Sequence, residues 1–185
     1  MRIIAGRAKR LPLKAPVGKD TRPTTDRIKE TLFNMLQPDL ADCSFLDLFS
    51  GSGNIGLEAA SRGAKKVVLV ENNKKACDII KENMLFTHLD DVCVLLQKDV
   101  LVAIANMAQK ERFDIIFADP PYQLGIEKSL LKAVRESNIL NPDGYMVIEA
   151  DIHTDFSYVN ELGFQILKEK IYKTNKHVYL DEIPC

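Results

Sequence analysis

From Phe45 to Glu149 the chain alternates short apolar runs with longer stretches in which apolar residues recur every three or four positions. The runs Phe45–Phe49, Lys66–Val70, Val92–Leu96, Phe113–Ala118 and Tyr145–Glu149 read as strands, the last one following an Asn141-Pro-Asp-Gly144 turn. Between them Ile55–Arg62, Lys74–Phe86, Val100–Lys110 and Glu127–Arg135 carry helical spacing, and Gly63 ends the first. Strict alternation leaves few topologies. Parallel neighbours need a crossover of helix length, and such crossovers place helices on both faces of a parallel sheet.

After Ala150 the rhythm breaks. Phe164–Tyr172 and Val178–Leu180 read as strands joined only by the polar Lys173-Thr-Asn-Lys176 turn, and a connection that short forces antiparallel pairing. A parallel unit closed by a terminal antiparallel hairpin is the pattern of the class I S-adenosylmethionine-dependent methyltransferase fold, a Rossmann-like, seven-stranded, mostly parallel sheet. A dinucleotide-binding fold would end instead on another parallel strand.

The first 37 residues follow a different pattern. Arg2–Ala5 and Leu11–Lys14 suit a short hairpin around Gly6-Arg-Ala-Lys-Arg10, with Pro12 keeping its strand at an edge. A loop from Lys14 to Arg22 leads to a helix start at Pro23-Thr-Thr25. Ile28, Leu32, Met35 and Leu36 give that helix one apolar face, and Arg22, Arg27 and Lys29 are expected on its exposed side. Residues 1–29 hold nine Lys or Arg against Asp20 and Asp26, a net +7. The remainder holds 16 basic and 24 acidic residues, a net −8. A basic extension over 1–37 on an acidic domain over 38–185 suits a polyanion, because each phosphate neutralised releases counterions. It equally suits a solvated tail.

At 185 residues and 46% apolar the chain can bury one substantial core. Four cysteines and three histidines lie scattered, without a CxxC pair, so neither a metal site nor a disulfide framework is indicated. Cys77 and Cys93 fall within apolar patterns and read as buried thiols of a reducing compartment. No run approaches the roughly 20 apolar residues of a membrane span, and the N-terminal apolar run is too short for a signal peptide. A cytoplasmic monomer without membrane contact is expected.

Gly51-Ser-Gly53-Asn-Ile-Gly56 matches G-x-G-x-x-G between a strand and a helix, with Glu71 twenty residues after Gly51. Such glycines let backbone approach a ligand, and an acid at the end of the second strand can accept both hydroxyls of a ribose. That much fits NAD and S-adenosylmethionine alike. Asp47, at the first strand's end, separates them: a carboxylate attracts the ammonium of a methionine moiety and repels a pyrophosphate. Asp99, after the third strand, can accept from an adenine amine, cap the next helix, or do both.

The apolar strand Phe113–Ala118 stops at Asp119-Pro120-Pro121-Tyr122. A nucleobase amine is a poor nucleophile, its lone pair delocalised into the ring, so it must be oriented before it can attack a sulfonium methyl. Asp119 and the Pro120 carbonyl can each accept one N–H, and Tyr122 can stack on an unpaired or flipped base. Pro121 completes the rigid tetrad.

Met1-Arg-Ile-Ile-Ala-Gly6, Arg22-Pro-Thr-Thr-Asp-Arg27 running into Glu30-Thr-Leu-Phe-Asn34, the Phe45–Gly53 loop and the Asp119–Tyr122 tetrad together resemble the RsmD family of 16S ribosomal RNA guanine-N2 methyltransferases. The resemblance implies S-adenosylmethionine as donor, no metal, and a guanine of 16S rRNA in the small ribosomal subunit or an assembly intermediate as acceptor. It implies a catalytic set of Asp119, Pro120, Pro121 and Tyr122. The implied cofactor set is Asp47, Phe49, Gly51, Gly53, Glu71, Asn72 and Asp99. Arg2, Arg7, Lys9, Arg10, Arg22 and Arg27 become the expected RNA contacts. Many members carry a glycine in the last hairpin, where this chain has Tyr172-Lys-Thr-Asn175. Two other enzymes compete: a DNA adenine N6-methyltransferase, which would usually need a further target-recognition domain, and an NAD-dependent oxidoreductase, which leaves the tetrad and closing hairpin unexplained. A catalytically silent RNA-binding module would need no cofactor.

Overall fold

A computed structural model describes residues 1–15, 26–121 and 125–184. Two compact units divide the chain, Met1–Asp99 and Val100–Cys185. Seven strands make one mixed, mostly parallel sheet.

In the first unit α1 (Asp26–Leu36) precedes β1 (Ser44–Asp47), α2 (Asn54–Ser61), β2 (Lys66–Glu71), α3 (Lys74–Thr87) and β3 (Cys93–Gln97), with a 3-10 turn at Gln37–Asp39. The strand order is β3-β2-β1, all parallel, with Asp47 opposite Leu69 and Glu71 opposite Gln97. Three acid-bearing strand ends or loops therefore share one edge, because parallel strands bring all their carboxyl termini to the same side. Every residue of α2 is buried. Gly56 allows that: a Cβ there would lie 2.3 Å from Leu69 Cδ2 and 3.2 Å from Val67 Cγ1, so a larger residue would have to displace the buried Leu69 side chain. Asn73 caps α3 by accepting from Lys75 N at 2.9 Å and Ala76 N at 3.2 Å. Cys43, Cys77 and Cys93 are buried, as the apolar pattern predicts for the latter two.

The predicted N-terminal hairpin is present in reduced form, with an Arg2–Pro12 bridge and bonds from Ile3 N to Leu11 O and Arg10 N to Ile3 O. The predicted helix start at Pro23–Thr25 and the position of Arg22 lie outside the described residues. Arg27 is exposed as expected, but Lys29 is fully buried, which corrects the sequence reading. Its ammonium meets Glu58 at 2.9 Å, also fully buried, together with the Arg2 carbonyl at 2.6 Å and Asn54 Oδ1 at 2.8 Å. A buried charge stands only when so paired. Helical spacing alone could not reveal a partner 29 residues away.

The second unit contains α4 (Val100–Met107), β4 (Phe113–Ala118), α5 (Glu127–Ser137), β5 (Leu140–Asp151), a 3-10 turn at Val159–Leu162, β6 (Phe164–Ile171) and β7 (Asn175–Glu182). The order is β4-β5-β7-β6, with β7 antiparallel to both neighbours. Asn141–Gly144 is not a turn ahead of the strand; it lies within β5. Phe113 pairs with Leu140 and Ile115 with Tyr145, so β5 bulges across this stretch. Asn141 Nδ2 holds the bulge by donating to Asp114 Oδ1 at 2.6 Å. A Cβ on Gly144 would sit 2.8 Å from the Asp114 carbonyl oxygen, so the close approach requires glycine. β7 begins three residues before the predicted Val178, because Asn175–His177 pair with Asp151–Glu149. The outermost strand β6 exposes Ile166, Leu167 and Ile171, interleaved with exposed Lys168 and Lys170, and its register shifts between Ile166 and Lys168.

Candidate active site

β1 delivers Asp47 into the start of the glycine loop. The loop is closed by Gly53 N donating to Ser50 O at 2.6 Å and tied to β2 by Ser50 N donating to Val70 O at 3.0 Å. Gly51 and Gly53 adopt left-handed φ values of 55° and 81°, which permit the sharp entry into α2. A Cβ on Gly51 would meet nothing within 4 Å, so its outer face is open.

Asp47 is 1% exposed. Its Oδ2 accepts from Gly56 N at 3.0 Å, while its Oδ1 is buried with no partner. Burial pushes this carboxyl up to about 7, against the opposing effect of the Gly56 hydrogen bond. A native structure rarely leaves a carboxylate oxygen buried and unpaired, and such an atom suits a cationic or donor group supplied by a ligand. Glu71 is half-buried. Its Oε2 accepts from Gly51 N at 2.9 Å and its Oε1 from Asn73 N at 2.8 Å, so it fixes the loop while each oxygen keeps a second lone pair for a hydroxyl. Phe49 is half-buried beside the loop in sequence, and Asn72 and Asp99 are exposed.

These residues fit the amino acid and ribose of S-adenosylmethionine: an orphaned buried oxygen for an ammonium, an open glycine and an acid with spare acceptors. Among the described residues no group of His, Cys, Asp and Glu could hold a metal ion.

In the second unit β4 ends at Ala118, and Asp119 follows half-buried, Pro120 buried and Pro121 exposed. Tyr122 lies outside the described residues. Ala118, the last residue of β4, pairs with Ile148, and Glu149 follows Ile148 within β5. Glu149 belongs to a buried polar cluster that periodicity does not reveal. It accepts from Asn175 Nδ2 at 2.6 Å and pairs with His177 Nε2 at 3.1 Å, and His177 Nδ1 meets Tyr172 Oη at 3.2 Å. The Phe117 ring stands edge-on to His177 at 6.2 Å between centroids.

The hairpin of the first unit is docked on the end of α2. Glu58 accepts from Ile4 N at 2.8 Å and Ala5 N at 3.0 Å, and Arg7 N donates to Ser61 O at 2.8 Å. Arg7 forms a two-point ion pair with Asp91, and Arg2 lies 3.3 Å from Asp26. Lys9 and Arg10 are exposed at the tip.

The seven-stranded, mostly parallel sheet closed by an antiparallel hairpin is the class I S-adenosylmethionine-dependent methyltransferase fold. The family model described as Conserved hypothetical protein 95 matches residues 1–181. The Bacillus subtilis protein YlbH is 40% identical over 152 residues, 82% of this chain and 83% of its own. Ribosomal RNA small subunit methyltransferase D of Haemophilus influenzae is 34% identical over 92% of this chain and 88% of its own. Among solved structures, the Escherichia coli protein yhhF superposes with a TM-score of 0.84 at 28% identity, covering 100% of this chain and 99% of its own. The chain belongs to the RsmD family.

Proposed function

We propose that this protein methylates the exocyclic N2 amine of a guanine in 16S ribosomal RNA, using S-adenosylmethionine. One observation carries the substrate class: the likeness to the Haemophilus influenzae enzyme spans 92% of the chain, and the matched family region includes the N-terminal hairpin as well as the methyltransferase core. The donor, when bound, supplies an electrophilic methyl on a sulfonium. Asp47 Oδ1 would hold its ammonium, Glu71 its ribose diol, and Asp99, with Phe49 and Asn72, its adenine side. Gly51 and Gly53 shape the loop around it.

On the acceptor side, Asp119 and the Pro120 carbonyl would each accept one N–H of the amine, turning its lone pair toward the methyl carbon. Pro121 stiffens the turn and Tyr122 stacks on the base. Transfer would form the C–N bond as the donor's C–S bond breaks, its electron pair leaving with sulfur. The nitrogen then sheds a proton readily, so orientation by Asp119 matters more than basicity. Arg2, Arg7, Lys9, Arg10, Arg22 and Arg27 would hold the RNA, in a small ribosomal subunit or an assembly intermediate.

Labelled methyl transfer to naked 16S RNA, small subunits and DNA in parallel, followed by nucleoside analysis, tests this reading. N2-methylguanosine in RNA is expected. N6-methyladenine in DNA would instead establish the adenine methylase alternative. Asp119→Ala is expected to keep donor affinity and lose transfer, and unchanged turnover would remove the role given to the tetrad.

A further inference from the structure

The donor loop is linked to the basic hairpin at two residues, Ser52 before Gly53 and Asn54 after it. At the first, Asn83 of α3 is 1% exposed and uses its whole amide. Its Nδ2 donates to the Ser52 carbonyl at 2.9 Å and to the Lys14 carbonyl at 3.0 Å, while its Oδ1 accepts from Lys14 N at 2.9 Å. At the second, the Lys29 ammonium reaches Asn54 Oδ1, the Arg2 carbonyl and Glu58, and Glu58 in turn holds the amides of Ile4 and Ala5. The Ser52 hydroxyl also lies 3.4 Å from Met1 Sδ. Both strands of the hairpin are thereby attached to Ser52 or Asn54, the residues flanking Gly53. Neither Asn83 nor Lys29 belongs to the glycine motif, and neither needs to touch the donor.

We infer that Asn83 and Lys29 are positioning residues for the donor loop, and that through them RNA on the hairpin and S-adenosylmethionine in the loop each raise the other's affinity. The inference deepens the proposed function and rests on its assignment of the loop to S-adenosylmethionine. The physical ground is shared order. A ligand that fixes Met1–Lys14 also fixes Ser52 and Asn54 through five buried or half-buried hydrogen bonds, so the second ligand meets a loop already in place. Linkage makes the effect reciprocal and equal in both directions.

Asn83→Ala removes one of the two attachments without leaving a buried charge. Calorimetric titration of the full chain with S-adenosylmethionine, alone and with saturating 16S RNA, measures both parts of the inference. Wild type should bind the donor several-fold more tightly with RNA present. Asn83→Ala should bind the donor about tenfold more weakly, the upper range for loss of its one hydrogen bond to the loop, and should lose most of the RNA enhancement. In turnover, KM for the donor should rise while kcat at saturating donor stays within about twofold, a split that general loosening of the fold would not produce. Hydrogen exchange should quicken at the amides of Gly51–Gly56 and Ile3–Leu13. Asn83→Leu, nearly isosteric and uncharged, loses both donated bonds without opening a cavity and should reproduce the donor defect if the alanine variant folds poorly.

Unchanged donor affinity in either folded variant overturns the positioning role. An RNA enhancement absent from wild type, or intact in the variants, overturns the coupling. A wild-type chain that binds no S-adenosylmethionine even with RNA overturns the underlying donor assignment too, and so is distinguishable from both.

Discussion

Asp47 joins burial, ionisation and an unpaired oxygen in one side chain, and these set its behaviour with pH. Its folded value, about 7, lies above the ordinary 3.8. Between those values the folded protein keeps a proton that the unfolded chain has lost. The ligand-free fold is therefore penalised increasingly as pH rises through this window, and above about 7 the penalty is complete, on the order of 4 kcal/mol for a shift of this size. Asp47→Asn retains an oxygen for Gly56 N and removes the ionisation. It is expected to melt at a higher temperature than wild type at pH 8, with the advantage nearly gone at pH 4, and to lose donor binding in calorimetry. For wild type, donor affinity should fall as pH drops below about 7, because the carboxyl must be ionised to meet an ammonium, and should level off above it. Stability set aside for a ligand is a common feature of binding sites.

Among the elements, the hairpin and α2 fit with no room to spare. A Cβ on Gly6, whose φ is 81°, would fall 1.8 Å from the Ser61 carbonyl oxygen, an atom of backbone that cannot turn away. Gly6→Ala is expected to lift the hairpin off α2 and to cost about 1–3 kcal/mol. Chemical denaturation measures the loss, and faster tryptic cleavage after Arg7, Lys9 and Arg10 reports the lifting. The same contacts explain which elements could be read from sequence. Phe113–Ala118 matches its predicted bounds because an apolar run buried on both faces leaves no ambiguity, and the strand-helix alternation fixed the remaining parallel elements within a few residues. Asp47, Gly51, Gly53 and Glu71 were legible as a set because the spacing of the loop is local. Lys29 was not, since its partner Glu58 comes from another helix. Nor was the Asn141–Gly144 bulge, whose Pro, Asp and Gly carry turn signals that the β4 backbone overrides. Glu149, Tyr172 and His177 meet only through antiparallel register, which no local pattern contains.

Across the whole molecule, the division into a basic extension and an acidic remainder is softened by pairing. Arg7 faces Asp91, Lys14 faces Glu82 at 2.6 Å, and Lys29 is spent on Glu58. Lys9 and Arg10 at the tip are left as the stronger candidates for phosphate contact. Replacing both by alanine should lower the salt dependence of RNA binding by a slope of about 1.4 to 1.8, whereas Arg7→Ala should change it less. Binding measured across a salt series decides between them, and an unaltered slope in the double variant returns the tip to a solubilising role. Among the described strands β6 ends the sheet order and presents an edge with Ile166, Leu167 and Ile171 exposed. Its interleaved lysines and shifted register make it a poor template for another strand, because docking would bury ammonium groups against a twisted ladder. Replacing Lys168 and Lys170 by valine is expected to raise self-association on concentration relative to wild type, as light scattering would record.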